Sequence, residues 1–104
     1  MPTLYEYFGL IIHFFANEHL PIHVHCEYQD RANKAEILFE NGKVKQITIL
    51  NIKGVKPLQE PQLTDFKVVV ERNAEDIVKK WNDYFVLRKR IKKTIIKKRY
   101  RRVV

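Results

Sequence analysis

The chain is poor in the residues that lock, break or anchor a fold. It has one cysteine, Cys26, so no internal disulfide can form and a disulfide-stapled secreted fold is excluded. Three glycines and four prolines are spread over 104 residues, with no Gly/Ser-rich linker and no internal repeat, which argues against a flexible multi-domain chain or a solenoid. The longest apolar run, residues 10–16, is interrupted by His13 and is far too short to cross a bilayer. A secretory leader needs basic residues ahead of its apolar stretch, but Glu6 stands there and no small-residue cleavage site follows. There is no phosphate-cradling glycine loop, no paired-cysteine zinc motif and no nucleophile elbow. These absences point to one cytoplasmic domain of ordinary size, whose apolar fraction of 45% suffices for a core.

Acid is also missing from one end. After Asp83 no Asp or Glu occurs. Residues 1–87 hold 10 Lys/Arg against 12 Asp/Glu, a net of −2. Residues 88–104 carry Arg88, Lys89, Arg90, Lys92, Lys93, Lys97, Lys98, Arg99, Arg101 and Arg102, so the formal charge of +8 belongs to a basic C-terminal extension on an acidic body. The expected division is a domain over 1–87 and an extension over 88–104. Such a run suits a polyanion or an acidic protein. Tyr100 within it has a face that can stack on a base. The alternatives are docking on the acidic body itself, or simple solvation. A membrane surface is not expected, because no lipid anchor signal accompanies the charge.

The apolar pattern predicts an α+β fold. Residues 8–16, rich in β-branched and aromatic side chains, read as a buried strand. Ile22–Tyr28 alternates strictly, with Ile22, Val24, Cys26 and Tyr28 on one side and His23, His25 and Glu27 on the other. Residues 34–40 and 43–52 flank Asn41-Gly42, the favoured dipeptide of a tight hairpin, with a bulge expected near Gln46. From Gln62 the period becomes helical. Leu63, Phe66, Val69 and Val70 share one face, and Ile77, Val78, Trp81, Tyr84 and Phe85 share another stripe. Asn73 suits a helix boundary, which predicts two helices, 62–72 and 74–86, on one face of a four-stranded antiparallel meander. The extension mixes both periods. Its β-branched residues suggest a short strand around 94–98 pairing with a sheet edge.

All four histidines, His13, His19, His23 and His25, fall within a short stretch. His23 and His25 share one face of one strand, with Cβ atoms roughly 7 Å apart. That spacing suits two ligands of a divalent metal such as zinc, the one cofactor this sequence suggests. Register decides on a third. If the strands over 8–16 and 22–28 pair so that residue numbers sum to 38, His13 faces His25; if they sum to 37, phenylalanines flank that face instead. A different chemistry needs no metal: His19, His23 or His25 as base and acid on a phosphodiester, with Arg31 or a cation of the extension at the phosphate. The bland reading is of half-exposed strand histidines with ordinary hydrogen bonds. Cys26 reads as a small core residue, Glu27 as a ligand or base if it is not simply solvated, and Trp81 as the anchor of the second helix. Tyr5, Tyr7 and Phe8 form either a base-stacking platform or N-terminal packing. Together these features lean toward a binding protein over an enzyme.

Met1-Pro2-Thr3, Phe8-Gly9 before an apolar strand, Asn17-Glu18-His19-x-Pro21-x-His23-x-His25, and Lys80-Trp81-Asn82 together resemble a bacterial family, "domain of unknown function 4160", over about residues 1–86. Its members are small single-domain proteins, often encoded beside another small protein in arrangements like toxin–antitoxin pairs. The resemblance therefore implies a small protein partner and a nucleic-acid role, and it adds weight to His19, His23 and His25 as the site. The chain departs from the family pattern at Ile22, where a second proline is common, and in its basic extension, since many members end soon after the tryptophan.

Overall fold

The computed structural model describes residues 2–15 and 20–101. The chain begins with a strand, β1 (Thr3–Tyr7), that turns at Phe8-Gly9 into β2 (Leu10–His13). Phe8 and Gly9 both have positive φ, 45° and 92°, as a tight antiparallel connection demands. Gly9 is also confined by space, because a Cβ there would meet the Tyr28 ring at 2.9 Å. The strand expected over 8–16 is thus a turn followed by a four-residue strand. Next come β3 (Ile22–Tyr28), β4 (Arg31–Glu40) and β5 (Lys43–Asn51). Asn41-Gly42 makes the expected hairpin turn, with φ of 52° and 75°. Between Leu38↔Gln46 and Phe39↔Val44 the β4–β5 ladder slips by one residue.

One helix, α1 (Glu60–Trp81), follows, with Pro61 in its first turn, where a missing N–H costs nothing. It continues into a π-helical turn over Asn82–Val86, closed by the Leu87 N–H donating to the Asn82 carbonyl. A last strand, β6 (Thr94–Ile96), lies in the basic extension and runs parallel to β1. The sheet order is β5-β4-β3-β2-β1-β6, antiparallel throughout except for that final pair.

The expected fold of four antiparallel strands and two helices is therefore corrected to a six-stranded mixed sheet with one helix. Asn73 does leave helical geometry (φ −119°, ψ 15°), but it kinks the helix without ending it. Its Nδ2 donates back to the Val69 carbonyl, the kind of i−4 bond that bends a helix. The buried stripe runs through the kink, with Phe66, Val69 and Val70 before it and Ala74, Ile77 and Trp81 after it. Burial against the sheet overrides the local preference of asparagine for a helix end. The same residues build the core with Leu4, Ile12, Phe14 and Val24, all fully buried. Among the described residues no helix is long and apolar enough to cross a membrane.

Candidate functional site

The β2–β3 register is the one in which residue numbers sum to 38: Ile12 pairs with Cys26 and His13 with His25. Strand alternation then sets His13, His23 and His25 in a row on one side of the sheet. The ring centroids are 5.8 Å apart for His13 and His25, and 5.9 Å for His23 and His25. His25 is the middle member. His19 lies outside the described residues.

Each ring has a distinct setting. His13 is 6% exposed, and its Nδ1 meets the Phe14 carbonyl at 3.1 Å. A carbonyl only accepts, so Nδ1 is the protonated nitrogen and Nε2 is the one turned toward Glu27, 3.7 Å from Oε1. His23 is 7% exposed and donates from Nδ1 to the Pro21 carbonyl at 2.8 Å, while its ring packs 5.2 Å from Trp81. His25 is half-buried beneath Phe15, whose ring stacks on it at 4.6 Å and 17°. Burial, then repulsion from His13, His23 and Lys34, pushes the His25 pKa down to about 4. At neutral pH this imidazole is uncharged. Lys34 is its cross-strand neighbour on β4 and Phe15 its stacking partner. Sequence reasoning missed both, because β4 begins at Arg31 and not at Lys34, and because strand alternation does not report ring stacking.

Among the described residues no three His, Cys, Asp or Glu side chains converge in an arrangement that could hold a metal ion. The histidines form a row with His25 between its neighbours. Cys26 is fully buried on the opposite side of β3, and burial pushes its thiol well up, so it serves as a core residue. Arg31 donates to the Pro57 carbonyl at 3.0 Å, on the loop before α1. Tyr5 and Tyr7 are buried: the Tyr5 hydroxyl donates to Asp76, and Tyr7 stacks on Tyr100. That leaves Phe8 as the exposed member of the expected aromatic platform, with the Arg99 guanidinium 4.3 Å over its ring.

The basic extension is held against the body by a few specific contacts. Tyr100 stacks on Tyr7 at 5.5 Å, its N–H donates to the Tyr7 hydroxyl at 2.9 Å, and its own hydroxyl accepts from Asn73 Nδ2 at 3.3 Å. Arg72 lies 5.2 Å over the Tyr100 ring. Lys93 pairs with Glu6, and Arg99 with Asp65 at 3.5 Å. Every Lys and Arg from Arg88 to Arg101 is exposed. Lys89, Arg90, Lys92, Lys97, Lys98 and Arg101 have no acidic partner among the described residues. Arg102 lies outside the described residues.

A family model described as "Domain of unknown function (DUF4160)" matches residues 9–82, and the chain belongs to that family. The matched span takes in the histidine row and α1, while β6 and the basic residues around it lie beyond it. No curated protein and no solved structure matches the chain.

Proposed function

We propose that this chain is a small cytoplasmic bacterial binding protein, an accessory component of a toxin–antitoxin-like pair, that contacts nucleic acid and a small protein partner through its basic C-terminal segment. The observation that carries the reading is the set of exposed, unpaired cations Lys89, Arg90, Lys92, Lys97, Lys98 and Arg101 on a segment already tethered to the body through β6 and Tyr100. Tethered cations lose less freedom on meeting phosphates than those of a loose tail, so more of their Coulombic gain survives as affinity. Fluorescence anisotropy with a labelled oligonucleotide, titrated at several salt concentrations, tests this. The logarithm of the association constant should fall linearly with that of salt, with a slope of about −4 to −5 if these cations each neutralise one phosphate. Absence of binding at low salt would remove the reading.

A second reading, a histidine-dependent ribonuclease, draws on the Nδ1 hydrogen bonds of His13 and His23. Such bonds fix the tautomer and orientation of a ring that is to work through Nε2. It requires that His23→Ala and His25→Ala abolish RNA cleavage in a purified assay.

A further inference from the structure

The sheet has two edges of different character. β6 is three residues long and lies among Lys92, Lys93, Lys97 and Lys98, which discourage further strand pairing. β5 is nine residues long and, among the described residues, pairs only with β4. Its first part is blunted by exposed Lys43 and Lys45 and by the bulge opposite Leu38 and Phe39. Its second part, Ile47, Thr48, Ile49 and Leu50, carries no charge and is only half-buried.

Beside this edge α1 forms one wall of an open groove. Lys67 and Glu71 line it with Ile47, Thr48 and Ile49, while Glu71 and Glu75 line its continuation with Val44 and Ile47. The helix therefore runs antiparallel to β5 here, with Lys67 toward the Ile49 end and Glu75 toward Val44. Lys67 and Glu71 are both exposed, and neither is in an ion pair among the described residues.

We propose that β5 is a homodimer edge, on which a second copy of this chain pairs antiparallel about a two-fold axis at Thr48. The charge pattern selects that occupant. The axis sets Ile47 opposite the partner's Ile49 and Lys45 opposite the neutral Asn51 of the partner subunit, so no like charges face each other between Lys45 and Asn51. It also brings Lys67 toward the partner's Glu71, and Glu71 toward the partner's Lys67, giving two reciprocal ion pairs above the joined strands. A closed two-fold contact satisfies both open edges at once, whereas pairing β5 with β6 of another copy would propagate without end. The dimer leaves each basic extension at a far end of a continuous sheet, so one assembly can engage two stretches of nucleic acid.

Sedimentation equilibrium on the full chain from low to high micromolar concentration tests the proposal. The expected result is a monomer–dimer equilibrium, weakened about tenfold or more by Lys67→Glu and by Glu71→Lys singly. The double exchange, Lys67→Glu with Glu71→Lys, should restore the dimer to near the original affinity, because the pairs re-form with their signs reversed. Thr48→Arg, which sets like charges on the axis, should give a monomer with unchanged far-ultraviolet circular dichroism. A wild-type chain that stays monomeric over the whole range overturns the proposal, and so does a folded double variant that fails to recover the dimer. Pairing of β5 with a strand of another protein would show as the first of these outcomes.

Discussion

In the histidine row, two of the three rings are buried and donate their Nδ1 protons to backbone carbonyls, whereas in the C-terminal extension every described cation is exposed. His23 rests on Trp81, which meets Phe14 edge-on at 5.5 Å and Phe85 at 4.4 Å. The extension is instead tethered by contacts that include β6, the Tyr100 stack on Tyr7 and the Lys93–Glu6 and Arg99–Asp65 ion pairs. Changes under the row should therefore appear in stability and leave the charge of the surface alone. Changes in the extension should appear in binding and leave stability nearly untouched. A residue type that suggests chemistry is not a site until the fold leaves it reachable, and a segment that reads as solvated padding becomes a surface once it is held in place.

The largest expected effect lies on the buried side. Trp81→Ala removes the ring that supports His23 and packs on Phe14 and Phe85, and should lower the unfolding free energy by about 3–5 kcal/mol. Chemical denaturation measures this. Anisotropy titrations under conditions where the variant is still folded should keep the wild-type salt slope. A changed slope would show that the two regions are coupled.

Next comes the exposed side. Replacing Lys89, Arg90, Lys92, Lys97, Lys98 and Arg101 together by glutamine should weaken nucleic-acid binding about a hundredfold at moderate salt and flatten the salt slope toward zero. The denaturation midpoint should hardly move, since no side chain of the six forms an ion pair among the described residues. Undiminished binding would shift the function away from this segment.

Part of this contrast was legible from residue order, and part was not. The alternation over Ile22–Tyr28 fixed β3 to the residue, and it reduced the position of His13 to a choice between two registers. Asn41-Gly42 placed the β4–β5 hairpin because its φ requirement is local. β1 was missed because Phe8-Gly9 lacks the asparagine that usually marks such a turn, so the apolar stretch read as one strand starting at Phe8. The helix boundary at Asn73 is a sound local inference overruled by packing, since Val70 and Ala74 on either side of the kink are both buried. His23 packs on Trp81, far away in the chain, and no strand period reports that. The short strand expected around 94–98 at a sheet edge is β6, but its parallel pairing with β1 is a non-local contact that neither segment encodes alone.

A pH titration sharpens the comparison from the buried side. With its folded pKa near 4 and an unfolded value near 6.5, His25 is neutral in the native chain at pH values where the unfolded chain takes up a proton. Stability should then fall as the pH drops from about 6.5 toward 4 and be indifferent to this group outside that window. Partial burial keeps the loss to about 1–2 kcal/mol. His25→Asn should flatten the curve across the window, as followed by thermal melts, and a curve that keeps its slope would place the titrating group elsewhere. The salt slope of nucleic-acid binding should not change between wild type and this variant.

The smallest effect tests the tether itself. Tyr100→Ala removes the stack on Tyr7, the bond from Asn73 and the seat of Arg72, yet leaves every cation in place. The backbone pairing of β6 with β1 loses its clamp, so hydrogen exchange at Thr94, Ile95 and Ile96 should speed up while β3 and β4 stay protected. Binding should then split into two parts. The salt slope should match wild type, because the number of neutralised phosphates is unchanged. The affinity at any one salt concentration should drop about fivefold, because the segment must now be ordered on binding at a cost of about 1 kcal/mol. Equal affinity with faster exchange would mean that the charges act as a loose tail. Unchanged exchange would mean that the β1–β6 hydrogen bonds suffice without Tyr100. A lower affinity with an intact slope is the pattern that only a tethered strand produces.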